Sequence, residues 1–218
     1  MLIHPWDAAT SPDEWQAWLA GTDRFGTLAV NNRDPDQAPL VVPTHITLSR
    51  GQLVAHLARP NPIWPHLEAA AQVQVTFGGD QAYVPGYWRT RPDVPADHGV
   101  PTSYYTSVQF VCHPQVVDNP AGKADILTAQ LADLQPEGRH APVEVDAGPY
   151  ARMLPGIRGI QLTVLRVEAK FKYDDDKPTD HRTRVAERLD QRHQHTDAGA
   201  AAQQRRRRDT IGDWRQRR

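Results

Sequence analysis

Residues 40–62, LVVPTHITLSRGQLVAHLARPNP, decide the fold. Two apolar runs, Leu40 to Leu48 and Leu53 to Leu57, flank the polar joint Ser49-Arg50-Gly51-Gln52. That spacing predicts an antiparallel hairpin. His45 and Thr47 alternate with Ile46 and Leu48, so one face of the strand can be polar. His45 and His56 then face each other across the hairpin, or nearly so. Asn61-Pro62 predicts a short helix reaching about Ala71. Pro65 is tolerated there, because first-turn N–H groups have no intrahelical partner.

The same reading extends outward. Ser11-Pro12-Asp13-Glu14 is a helix start with a capping box, followed by Trp15, Trp18 and Leu19 on one face and a stop at Gly21. Phe25 to Val30 and the alternation of Val73, Val75 and Phe77 predict strands. Pro85 to Gly99 reads as a long loop, of a length that is often functional. Ser103 to Val117 is β-rich. Asn119-Pro120 caps a helix with Ile126, Leu127, Leu131 and Leu134 inward. Ile160, Leu162 and Val164 open a long strand that continues through Phe171. Thr179 caps a last helix carrying Val185 and Leu189. Six to eight short antiparallel strands with helices between them predict a mainly β fold with α, a small barrel with peripheral helices.

Composition bounds the function. The 218 residues carry 25 basic and 26 acidic side chains and one cysteine. A single cysteine excludes a disulfide framework and a cysteine-rich zinc site, and Cys112 reads as a small buried hydrophobe. No apolar run approaches the ~20 residues that cross a bilayer. The N-terminus lacks the basic start and apolar stretch of a secretory signal, so a cytoplasmic protein without membrane contact is expected. Motifs for a Rossmann site, a P-loop, an HExxH metal site and an α/β-hydrolase elbow are missing.

The near-neutral total conceals an asymmetry. Residues 179–218 hold 11 arginines against six acids, and the rest of the chain is acidic. Residues 1–192 are expected to form the main domain, and residues 193–218 an Arg-rich, flexible tail. Arg205 to Arg208 is the one place where nucleic acid could bind. Asp174-Asp175-Asp176 lacks the ligand spacing of a calcium loop and reads as a solvated turn, with no metal site expected.

Two segments carry candidate chemistry. His56-Leu57-Ala58-Arg59-Pro60-Asn61-Pro62 joins a strand end, a guanidinium and a helix start, a combination suited to a phosphate. A capped helix beside an ordinary surface arginine fits the same residues. Lys170 and Lys172 lie two apart on one strand face. They repel unless an anion or carboxylates lie between them, or else they protect an edge strand.

These segments also resemble a known family. The residues are Phe25-Gly26-Thr27-Leu28, Pro43-Thr44-His45, His56 to Pro62, Gln81-Ala82-Tyr83-Val84, Val100-Pro101-Thr102-Ser103-Tyr104-Tyr105 and Val167-Glu168-Ala169-Lys170-Phe171-Lys172. In this order, from about Met1 to Leu189, the chain resembles the PaiB-type FMN-binding negative transcriptional regulators. That family is related to the flavin split barrels of the pyridoxamine-phosphate-oxidase-like class.

The resemblance implies a split β-barrel homodimer with FMN in a cleft walled by both chains. Thr44, His45, His56, Arg59, Asn61, Lys170 and Lys172 become candidates for phosphate and ring contacts, with Thr102 and Tyr105 on the strand entering the site. The chain departs from the family at Ser103-Tyr104, where Trp-Asn is usual, at Gln109, where His is usual, and at Asp174 to Asp176, where Ser-Gln-Asn is usual. The leading expectation is an FMN-binding flavoprotein of the regulator type, with no catalytic residue assigned. The alternative is a flavin-dependent oxidoreductase, with Tyr83, Tyr87, Trp88 and Arg91 facing a substrate. Direct DNA binding is left only to the Arg-rich tail.

Overall fold

The computed structural model describes residues 1–91 and 93–211. The elements run α1 (Pro12–Ala20), β1 (Phe25–Val30), β2 (Leu40–His45), β3 (Thr47–Ser49), β4 (Gln52–Ala58), α2 (Trp64–Ala69), β5 (Val73–Val84) and α3 (Gly86–Arg89). They continue β6 (Thr102–Val117), α4 (Pro120–Leu134), α5 (Gly148–Ala151), β7 (Ile157–Lys172), α6 (Thr179–Arg192) and α7 (Asp197–Ile211). Seven strands form one sheet in the order β2-β1-β5-β6-β7-β4-β3. This is the split-barrel fold.

The chain divides into two compact units. The first comprises Met1–Ala17, Gly78–Val108 and the chain from Glu168 onward. The second comprises Trp18–Phe77 and Gln109–Val167.

In the second unit the expected hairpin is present. Thr47 pairs with Val54 and Ser49 with Gln52. Arg50 and Gly51 both have positive φ, the signature of a two-residue type I′ turn. The run 40–48 is nevertheless two strands. Ile46 is fully buried and donates its N–H to the Arg24 carbonyl, leaving the ladder. β2 therefore pairs with β1, Phe25 opposite His45, while β3 pairs with β4. β2 is an edge strand, which is why Pro43 is tolerated within it. Leu28, Leu53, Val75, Phe77 and Phe110 fill the core, with Phe77 edge-on to Phe110.

Helix α4 starts as expected, with Asn119 Oδ1 accepting from the Gly122 N–H. It packs on the sheet at Gly159, where a Cβ would stand 2.5 Å from Ile126 Cδ1. Ile126 is buried there, but Leu134, expected inward, is exposed at the helix end. Helix α2 begins later than expected, at Trp64, because Asn61 Oδ1 accepts from the Ile63 N–H and holds a turn first.

The first unit gathers the outer ends of β5, β6 and β7 with α3, α6 and α7. At α1, Glu14 does reach back over the helix start, but to Thr10 N–H and Oγ1. The segment before it pairs with β7 through Ala8 and Lys170. α6 begins with Pro178 at its N-cap and no side-chain cap, so Thr179 does not take that role. It ends at His193, whose left-handed backbone turns the chain. Asp197 fixes that corner by accepting from Arg192 and from Gln194 N–H.

The expected tail is thus corrected. The boundary placed at Arg192 falls inside the first unit, and residues 197–211 form α7, packed on α6. The physical reason is a buried ionic anchor. Arg207 is fully buried and donates to Asp175 Oδ2 (2.5 Å), Glu14 Oε1 (2.6 Å) and the carbonyls of Trp6 and Ala8. Trp214, at the end of the expected tail, lies outside the described residues.

Candidate functional site

The nine residues singled out by sequence divide between the units, and each group can be built from its own strands. In the first unit, Lys170 and Lys172 project from one face of β7 over the ring of Tyr105, at 5.5 and 5.9 Å from its centroid. Their surroundings differ. Lys170 is buried, donates to the Leu2 carbonyl at 2.9 Å and lies 3.9 Å from Asp7 Oδ2. Lys172 is half-buried and donates only to Thr102 Oγ1, at 2.7 Å. Among the described residues no carboxylate lies within ion-pairing distance of it. Asp7 lies nearer Lys170 but also feels the charge of Lys172, so it relieves part of the repulsion between the two lysines.

Asp7 was not expected at this place. It is 2% exposed, and its Oδ2 has no hydrogen-bond partner among the described residues. Burial raises its pKa to about 6, against the lowering pull of Lys170. Nothing in the sequence around Trp6-Asp7-Ala8 signals this, since the contact depends on the N-terminal segment pairing with β7.

The acidic turn also differs from expectation. Asp174 and Asp175 are buried. Asp174 accepts two hydrogen bonds from Arg89 at 3.0 Å, one from Tyr104 Oη at 3.1 Å, and faces His181 Nε2 at 3.1 Å. Burial pushes its carboxyl up, yet His181 and Arg89 together hold it below the usual carboxylate range. Asp175 is shared by Arg182 and Arg207. A solvated turn is thus replaced by compensated charge, because three guanidinium groups from α3, α6 and α7, with His181 beside them, converge on two carboxylates.

In the second unit, His56 Nδ1 lies 2.6 Å from Gln130 Oε1, and Gln130 Nε2 donates to the His45 carbonyl at 3.1 Å. This chain of bonds puts the His56 proton on Nδ1 and leaves Nε2 as an acceptor in the neutral ring. Gln130 stands four residues after Ile126 on the buried side of α4. A glutamine at an apolar helical position was the signal that could have found it. His45 is exposed and edge-on to Phe25 at 5.0 Å, and Thr44 is half-buried beside it on β2.

Arg59 is not an open fork. Its Nη1 and Nη2 donate to Asp118 at 3.0 and 2.5 Å, and its Nε donates to the Pro155 carbonyl at 2.7 Å. These hydrogen bonds hold Asp118 below the usual carboxylate range. Arg158 and Lys123 also approach Asp118, at 3.3 and 3.6 Å. Asn61 spends its side-chain oxygen on the turn before α2. The phosphate reading of the 56–62 segment thus meets a carboxylate already in place.

The fold is that of a split barrel, and solved structures share it. The FAD and heme binding protein from Mycobacterium smegmatis is 17% identical, with a TM-score of 0.57 over 81% of this chain and 78% of that one. The flavocytochrome Anf3 from Azotobacter vinelandii is 16% identical, with a TM-score of 0.57 over 77% and 70%. The conserved hypothetical protein Rv2991 from Mycobacterium tuberculosis is 14% identical, with a TM-score of 0.55 over 78% and 90%. At these identities the likeness shows the fold. No curated protein matches the chain in sequence.

Residues 1–166 match the family described as "Putative FMN-binding domain", and the chain belongs to that family. Its cofactor is FMN. The residues fit such a group: Lys172 is a cation in no ion pair with a described residue, next to a hydroxyl at Thr102 and an aromatic face at Tyr105. That donor set suits a phosphate monoester.

Proposed function

We propose that the protein is an FMN-binding flavoprotein of the PaiB-like regulator type, acting as a cytoplasmic homodimer. The observation that carries the reading is the Lys172 ammonium over Tyr105, bonded to Thr102 and in no ion pair with a described residue, in a chain of an FMN-binding family. FMN, when bound, supplies one- and two-electron transfer, and the chain supplies binding and electrostatics.

Lys172 offers its ammonium to the phosphate, and Thr102 orients that ammonium by accepting one of its protons. Lys170 adds positive field while Asp7 holds it in place. In the second unit Arg59 and Asn61 are already engaged, by Asp118 and by the turn before α2.

Regulation by a flavin-linked change is favoured over direct DNA contact through the arginine run. Arg205 pairs with Asp190, Arg206 and Arg207 with Glu14, and Arg208 with Asp209. Cations so engaged have less to offer phosphates. A second reading, a flavin-dependent oxidoreductase, draws on the exposed rings of Tyr83 and Tyr87.

The test is a fluorescence titration of the purified chain with FMN, with sedimentation velocity alongside. Saturable quenching by a dimer supports the proposal, and rapid NAD(P)H oxidation by the loaded protein would favour the enzyme. Free flavin with no quenching, or a monomer that binds fully, would overturn the corresponding part.

A further inference from the structure

Residues 89–91, 93–94 and 98–100 and the start of α6 line an open cavity of about 580 Å³ in the first unit. That volume lies within the range of small-molecule sites. The segment overlaps the long loop, Pro85 to Gly99, whose length marked it in the sequence.

The cavity wall is charged in one direction. Arg89, Arg91, Lys177 and Arg184 line it, against the carboxylates of Asp93 and Asp180. Three of the four cations have partners: Arg89 in Asp174, Arg91 in Asp93 at 3.4 Å, and Lys177 in Asp176 at 2.6 Å. Arg184 makes neither a hydrogen bond nor an ion pair with any described residue. It is nevertheless only half-exposed. A guanidinium partly withdrawn from water without an acceptor is unfavourable by itself and favourable once an anion arrives.

Both sides of the cavity are fixed. Arg184 stands three residues after His181, on the same side of α6, and His181 is held by Asp174. On the loop side, Arg89 Nη1 donates to the Val100 carbonyl at 2.6 Å. Gly86 and Gly99 pack backbone to backbone, so that a Cβ on Gly99 would stand 2.0 Å from the Gly86 carbonyl oxygen. Val94, Val100 and Pro178 supply apolar surface beside the cations, and Val100 is 70% exposed.

We propose that this cavity binds a small carboxylate with an apolar, ring-sized body, its carboxylate on Arg184 and its body against Val94, Val100 and Pro178. A planar carboxylate matches the guanidinium fork, and the valines and proline exclude water from its flank. The site is separate from Lys172 and does not depend on flavin.

The test is calorimetric titration of the full chain with benzoate, repeated with inorganic phosphate and with Arg184→Gln. The proposal expects benzoate binding that weakens roughly tenfold or more in Arg184→Gln, as loss of a charge-assisted hydrogen bond requires. It expects Lys172→Gln to bind benzoate as the wild type does. NMR of the wild type provides a second readout that needs no variant: benzoate shifts the methyls of Val94 and Val100. Unchanged affinity in Arg184→Gln, unmoved valine methyls, or phosphate bound more tightly than benzoate would overturn the assignment.

Discussion

Tyr104 Oη donates to Asp174 Oδ2 at 3.1 Å, inside the first unit, and both side chains are buried. The tyrosine on β6 thus meets the carboxylate that follows β7, with Arg89 and His181 completing the set. Tyr104→Phe removes one donor of several and should cost about 1 kcal/mol. Asp174→Ala leaves Arg89 and His181 facing each other without their acceptor and should cost about 3–5 kcal/mol. Urea denaturation of both variants checks the ordering.

The same carboxylate gives an acid dependence. The folded pKa of Asp174 is depressed, so its contribution is present above the unfolded value and is lost as pH falls through the folded one. Asp174→Asn should therefore lose more stability than wild type near neutrality, with the two curves converging at low pH. Parallel curves would contradict this assignment.

Asp7 works in the opposite sense. Its folded pKa is raised to about 6, above the unfolded value near 3.8. The unfolded chain releases that proton first, so stability falls as pH rises between roughly 4 and 6. Asp7→Asn removes this cost and should raise stability at pH 8 by about 1–3 kcal/mol while leaving it unchanged near pH 4. Denaturant midpoints at the two pH values decide it.

Helix α7 is held by charge as much as by apolar contact. Arg207→Ala leaves Glu14 and Asp175 buried beside the hole it makes, and should cost about 3–5 kcal/mol. Arg205→Ala removes only an exposed pair and should change stability by less than about 1 kcal/mol. Circular dichroism melts of the two variants separate an anchored helix from a solvated run of arginines.

Much of the fold was legible because local rules agreed. The alternation in β1, β5 and β7, the Asn119 cap and the Arg50-Gly51 turn each follow from nearby residues. What was not legible depended on distant partners. Asp175 became buried because Arg182 and Arg207 arrive from two helices later in the chain. Arg59 met Asp118 across 59 positions, and nothing near either residue announces the pair. The basic run looked like a tail because charge composition cannot tell a solvated arginine from one whose carboxylate lies elsewhere in the sequence.

The Arg59–Asp118 pair carries its own prediction. Because Asp118 already fills the guanidinium fork, Arg59→Ala should change FMN affinity less than Lys172→Gln does. A larger loss in Arg59→Ala, measured by the same fluorescence titration, would move the phosphate away from Lys172.

The central claim is that Lys172 recognises the phosphate of FMN, and comparing FMN with riboflavin tests it most directly. The wild type should bind FMN more tightly than riboflavin by roughly 10- to 100-fold, the range of a charge-assisted hydrogen bond. In Lys172→Gln that preference should collapse, with riboflavin affinity nearly unchanged. An FMN preference that survives intact in Lys172→Gln would contradict the account.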